Sequence, residues 1–307
     1  MFRRSAKLVI QTGFPKKYSS RKSQSPAAYC ADLVKKLDYE NYLCTLLLKG
    51  DTRRAAFAIR AFNAELASIR DQVTNVTTSQ GRFVFWRETI NRIYGGVSPQ
   101  HPVALELLWV LSSAQSTINK QWFSRLIESR EANAKNSAFE SLTATETYAE
   151  SSVTPVYYLI LESQGFKSID CDHTASHLGK AQGLTNMIRA VPYHASKGHC
   201  YLPMDLMAKH GLSQERLLRA PQAGLEELLF EVAADAHLHV EKASKELKKL
   251  PRAVHDLYLP LICLQDFLER IRRAKFNIFD SGVQRRNSRL PLLLLKHKVK
   301  QKLRLWP

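Results

Sequence analysis

From Pro26 onward, apolar residues recur at three- and four-residue spacing almost without interruption. Cys30, Leu33, Val34 and Leu37 share one such series, and Gly50 ends the segment. That is the pattern of an amphipathic helix followed by a stop. After Asp51-Thr52, a candidate cap, Phe57, Ala61 and Ala64 form one apolar series and Ile59, Phe62, Leu66 and Ile69 another. Two series on one helix predict burial on more than one side. Further helices are predicted at "RFVFWRETINRIYGG", ended by Gly95-Gly96, at "HPVALELLWVLSSAQS", opening at His101-Pro102, and at "QWFSRLIESREANA". The segment "SLTATETYAESSVTPVYYLILESQG" is interrupted at Pro155. Stretches 173–191, 223–249, 251–262 and 263–275 bring the total to about ten helices. No alternating apolar run is flanked by hairpin turn residues, and no 20–50-residue period repeats. The prediction is a single all-α domain over residues 27–284 with a tail on either side.

Charge changes this picture only at the ends. The formal net charge is +17, but residues 1–26 carry seven Lys/Arg, residues 285–307 carry eight, and neither segment has an acid, which leaves +2 for the body. A near-neutral body argues against a nucleic-acid face. Residues 1–26 are rich in Arg, Lys and Ser, with Phe2, Leu8, Val9 and Ile10 for an apolar side. This is the composition of a mitochondrial transit peptide, the plainer alternative being a disordered basic tail. In residues 285–307, drawn as a helix, Leu292, Leu295, Val299, Leu303 and Trp306 fall on one side with Lys and Arg around the rest. Such a helix suits the surface of an anionic membrane, although a strand or a disordered tail fits the alternating charges too. No apolar run approaches the length that spans a bilayer.

Candidate chemistry is sparse. Cys30, Cys44, Cys171, Cys200 and Cys263 are odd in number, scattered and without CxxC spacing, so they read as reduced thiols rather than a disulfide or zinc framework. His173 and His177 stand at i and i+4 behind Asp172, a spacing that can hold a metal, but the stretch between them lacks a glutamate and no third ligand is evident. A helix start capped by Asp172 explains them more simply. His237 and His239 point to different sides of their helix and read as packing residues. Gly179 and Gly183 are read as points of close helix approach.

Two stretches carry a resemblance. "DTRRAAFAIRAFNAELASIRD" (51–71) resembles the first substrate helix of the squalene/phytoene synthase family. "LGKAQGLTNMIRAVPYHASKGHCYLP" (178–203) resembles its second, and the order and spacing of the matches run over roughly 27–280. The resemblance implies an isoprenoid-synthase-type helical bundle around a central cavity. "DYENYLCTLLL", "AIRAFNAELA", "AVPYHASKGHCYLPMD" and "AHLHVEKA" together closely resemble a mitochondrial branch of that family whose members assist assembly of respiratory complex I. That branch implies complex I subunits or other assembly factors as partners. It also implies a location at the matrix face of the inner membrane with peripheral contact, and a role with membrane-arm subunits.

The family's two motifs hold diphosphate through Mg²⁺, which prefers carboxylate oxygens. The resemblance places those carboxylates at Asn63, Ala67, Ala190 and His194, and none of the four is an acid. Glu65 is turned to another side of its helix, whereas Asp71 falls on the Asn63–Ala67 side but is alone. Pro192 is expected to disturb the helix between Ala190 and His194. No catalytic residue, metal or cofactor is therefore expected, and the four motif positions read as vestiges. Arg189, Lys197 and His199, with His194, could form an anion-attracting rim; a solvated loop is the simpler reading. The rivals are an active prenyl-diphosphate transferase with a rearranged metal site and a lipid or isoprenoid carrier.

Overall fold

The Ser25 hydroxyl accepts a hydrogen bond from the Ala28 amide at 3.3 Å, and Pro26 occupies the first helical position. Together they start α1, since proline presets a helical φ and gives up an amide that no carbonyl would have met. The computed structural model describes residues 24–72, 76–134 and 138–303. Almost all of residues 1–26, and Trp306, lie outside that range.

The chain runs α1 (Pro26–Leu37), α2 (Tyr39–Leu46), α3 (Gly50–Gln72), α4 (Val76–Tyr94) and α5 (Pro102–Ser113). It continues through α6 (Lys120–Ala134), α7 (Leu142–Ser152), α8 (Thr154–Ser163) and α9 (Ile169–Ser196). After α9 come two short helices, α10 (Met204–Lys209) and α11 (Gln214–Arg219), then α12 (Leu225–Leu247). A 3-10 turn (Arg252–Tyr258) leads into α13 (Pro260–Arg273), α14 (Ser281–Gln284) and α15 (Leu290–Lys302). Among the described residues no strand forms, only one isolated bridge between Phe139 and Pro203. The all-α, single-domain expectation holds.

Three local expectations need correction. The segment read as one helix up to Gly50 is two, because Asp38 leaves helical geometry at φ −143°. Gly50 then takes φ +48° at the turn into α3, a conformation that favours glycine. The cap of α9 is Ser168, whose hydroxyl accepts from the Cys171 amide at 3.2 Å, not Asp172. Finally, α9 runs straight through Pro192 to Ser196. Proline removes one amide from the ladder, but Ile188 and Val191, in the turn just before it, are buried in the core, and that packing holds the helix in line through the proline.

The centre of the bundle is α3, buried on several sides as its two apolar series predict. Phe62 is fully buried and meets Trp86 and Phe123 edge-to-face at 5.2 and 5.4 Å. α9 packs chiefly against α12 and α7. Its glycines explain the closeness. A Cβ on Gly179 would lie 2.1 Å from Thr154 Oγ1 and 2.7 Å from Thr154 Cα, and one on Gly183 would lie 2.2 Å from Ala149 Cβ. At these glycines α9 meets α8 and α7 at backbone distance, and Asn186 and Ala190, further along the same side of α9, reach the space between α9 and α3.

Candidate functional site

Between α3 and α9 lies a cavity of about 540 Å³. α3 brings Asn63, Ala67 and Asp71 to it, and α9 brings Gln182, Asn186, Arg189, Ala190 and Tyr193. Residues eight apart on a helix stay on one side, so the α3 set is a single stripe. The two motif helices therefore face each other across one space, as the sequence implies.

Five arginines line that space, against three acids. Arg130 from α6 donates from Nη2 to Asn63 Oδ1 and to the Ser152 carbonyl, and from Nη1 to the Tyr148 hydroxyl, each at 3.3 Å. Arg189 pairs with Glu40 and lies 4.7 Å from the centre of the Phe267 ring. Its Nη2 atom is buried and unpartnered. Arg270, Arg285 and Arg286 line the side formed by α13 and the segment before α15. Arg270 is held by Asp266 at 3.0 Å and by three backbone carbonyls, and Arg286 stacks over Tyr39 at 4.5 Å.

Three acids reach the cavity, Asp38, Glu40 and Asp71, and each is engaged. Asp38 accepts from Asn41, Glu40 pairs with Arg189, and Asp71 accepts from the Tyr193 hydroxyl at 3.3 Å. Among the described residues, these three do not gather into a group able to share an ion. Glu65 accepts instead from Tyr29 at 3.3 Å, on the side of α3 that its helical offset from Asn63 predicts.

The expected rim is split. Arg189 lines the cavity, but Lys197 and His199 do not. His194 lies one turn beyond Ala190 and packs edge-on to Tyr201 at 4.6 Å, and His199 stacks with the same ring at 5.8 Å. Burial first, and the Arg70 charge second, push His194 down to about 4. It is a neutral imidazole at pH 7 and offers no charge to an anion. His173 is exposed, and His177 turns toward His239 rather than toward Asp172.

Sequence reasoning missed Arg130, which sits in an unremarkable polar run, and assigned Arg285 and Arg286 to a tail. No local signal marks either, because both reach the cavity only through tertiary packing.

Comparison with known proteins places this geometry. A family model for squalene/phytoene synthase matches residues 34–294. NADH dehydrogenase (ubiquinone) complex I, assembly factor 6, of Bos taurus is 40% identical over 267 residues, covering 87% of this chain and 80% of the relative. The presqualene diphosphate synthase of Rhodopseudomonas palustris is 24% identical, covering 69% of this chain and 76% of its own. A crystal structure of a dehydrosqualene synthase in complex with ligand superposes with a TM-score of 0.75 at 22% identity, over 92% of this chain and 97% of the enzyme.

Proposed function

The chain belongs to the squalene/phytoene synthase family, and from that premise we propose that it is a non-catalytic helper in the assembly of respiratory complex I. The observation that carries this reading is a pair of facts about the same residues. The chain is far closer to a complex I assembly factor than to a presqualene diphosphate synthase. At the same time, the stripe where the family places its metal-binding carboxylates presents Asn63, Ala67 and Ala190, with Arg130 bonded to the first. A prenyl transfer must neutralise a leaving diphosphate, and metal ions held by paired carboxylates are how such sites do it. Asp71 alone, already bonded to Tyr193, does not replace them.

The reading includes a place of action. Complex I assembly puts the chain in the mitochondrion, and its work with membrane-arm subunits puts it at the matrix face of the inner membrane. The contact in this reading is peripheral, and no helix among the described residues is long and apolar enough to cross a membrane. α15 supplies a surface for it: Leu290 and Leu294 are buried against the body, while Leu292, Leu295, Val299 and Leu303 face outward. Apolar side chains on a helix free of acids suit the interface of an anionic bilayer.

A second reading adds to the first. The arginines around the cavity could hold an anionic lipid or isoprenoid head group without metal, since guanidinium is a strong partner for phosphate. The test of the main reading is genetic. Cells lacking the chain should lose assembled complex I on a native gel while other respiratory complexes persist; unchanged complex I would end it.

A further inference from the structure

The described residues hold one cluster of metal-ligand side chains, and it lies outside the cavity. α7 contributes Glu146. α12 contributes Asp235 and His239, four residues apart and so on one side of that helix. One ligand atom from each of the three lies within 4.8 Å of the other two. His239 is only 6% exposed, and its Nε2 is 3.0 Å from Glu146 Oε1. Its other ring nitrogen, Nδ1, lies 2.8 Å from Nδ1 of His177 on α9. The Oδ2 atom of Asp235 is buried and has no partner.

Two carboxylates side by side under a helix pair repel unless something positive lies between them. The surrounding fixed charges do not supply it. Lys180 and Lys242 act on the cluster from α9 and α12, but Glu150 and Glu246 offset them, and Lys180 is paired with Glu150 at 3.4 Å. Without a cation the two carboxylates face each other with no compensating charge between them, and Asp235 Oδ2 has no partner. A divalent ion would meet that need. Ligand atoms bonded at about 2.0–2.2 Å to a tetrahedral ion stand about 3.3–3.6 Å apart, so the pair of His239 Nε2 and Glu146 Oε1, now at 3.0 Å, need open only slightly to admit one. Two carboxylates cancel the ion's charge, so the closed site would be neutral.

We propose that Glu146, Asp235 and His239 form a binding site for a first-row divalent ion of the zinc class, with His177 as the positioning residue that holds the His239 ring. One imidazole with two carboxylates selects such an ion over Mg²⁺ or Ca²⁺, which favour all-oxygen shells. The contact from the second ring nitrogen fixes the tautomer and orientation of His239, the role that such partners play at histidine metal sites. Bound there, the ion ties α7 to α12 on the side of α9 away from the cavity and leaves a fourth position for water. It would brace the bundle independently of whether the cavity holds a ligand.

The test uses the full chain, stripped with a chelator and titrated with Zn²⁺ alone against a chromophoric competitor. The expected result is one tight equivalent per chain and a higher melting temperature with zinc. Binding should weaken at acid pH, because the imidazole and carboxylates must be deprotonated to hold the ion. Asp235→Asn keeps the side-chain size and removes a buried charge, so it should fold at least as stably as the metal-free protein yet lose the tight equivalent. His177→Gln should weaken it by about 10- to 100-fold. No tight equivalent in the wild type would overturn the proposal. Equal zinc affinity in folded Asp235→Asn would overturn it as well, by placing the ion elsewhere.

Discussion

Arg130 Nη2 donates to Asn63 Oδ1 at 3.3 Å, so a guanidinium occupies the approach to the position that the proposed reading assigns to an aspartate of the family's first motif. The substitution and the arginine work together. An amide oxygen accepts one bond from a neighbouring cation, and that cation is itself anchored on Tyr148 and Ser152. A carboxylate restored at this position would meet Arg130 before it met a metal.

Asn63→Asp is therefore expected to strengthen the contact with Arg130 rather than revive chemistry. For a half-buried pair the gain is about 0.5–1 kcal/mol. Thermal unfolding should show a small rise in melting temperature. Incubation of Asn63→Asp/Ala67→Asp with Mg²⁺ and farnesyl diphosphate should release no pyrophosphate; turnover would mean that Arg130 yields to metal.

The contact of α9 with α7 and α8 depends on two missing side chains. Gly179→Ala would drive a Cβ against the Thr154 backbone, and Gly183→Ala would drive one against Ala149. Each should cost about 1–3 kcal/mol through overpacking, despite alanine's better helix propensity. Urea midpoints measure this directly, and unchanged midpoints would show that α9 can shift away without cost.

Stability should depend on pH through His194. Burial and Arg70 push it down to about 4 from its ordinary 6.5, so the unfolded chain takes up a proton first as pH falls. Its contribution is complete above about 6.5 and is lost progressively toward 4. Burial shifts His101, His177 and His239 the same way, whereas Asp235 runs oppositely. Urea midpoints at pH 7.5 and 5 should fall less in His194→Gln than in the wild type. An equal fall would remove His194 as a source.

The two sides of α15 separate packing on the body from the proposed membrane contact. Leu294 is 1% exposed, and Leu294→Ala should cost about 2–4 kcal/mol. Leu292 and Leu295 are 68% and 53% exposed. Leu292→Glu/Leu295→Glu should leave the melting temperature unchanged and reduce binding to anionic-lipid vesicles at least 10-fold in sedimentation. Undiminished vesicle binding would move the contact to another surface.

How much of this could be read from residues alone follows from the range of each interaction. Helical periodicity is local, so α3 with its two apolar series, the break before Pro155 and the outward side of α15 were all legible. The splitting of α1 from α2 was not, because Asp38 carries no strong breaker signal. The continuity of α9 through Pro192 was not either: the proline rule is local, and the burial of Ile188 and Val191 that overrides it is tertiary. The motif stripe of Asn63, Ala67 and Asp71 was legible because it lies on one helix. Arg130 entering that stripe from α6, and His177 meeting His239 across 62 positions of sequence, were invisible for the opposite reason.

The most direct measurement is complex I itself, in mitochondria of cells that lack the chain and re-express either the wild type or Asp71→Ala. Asp71 is the one acid on the cavity side of α3, so a metal-dependent reaction there would lean on it. A non-catalytic assembly role predicts a specific loss of assembled complex I without the chain, and equal recovery of its amount and activity with both forms. Normal complex I together with a missing isoprenoid product would contradict it, as would failure of Asp71→Ala at wild-type abundance.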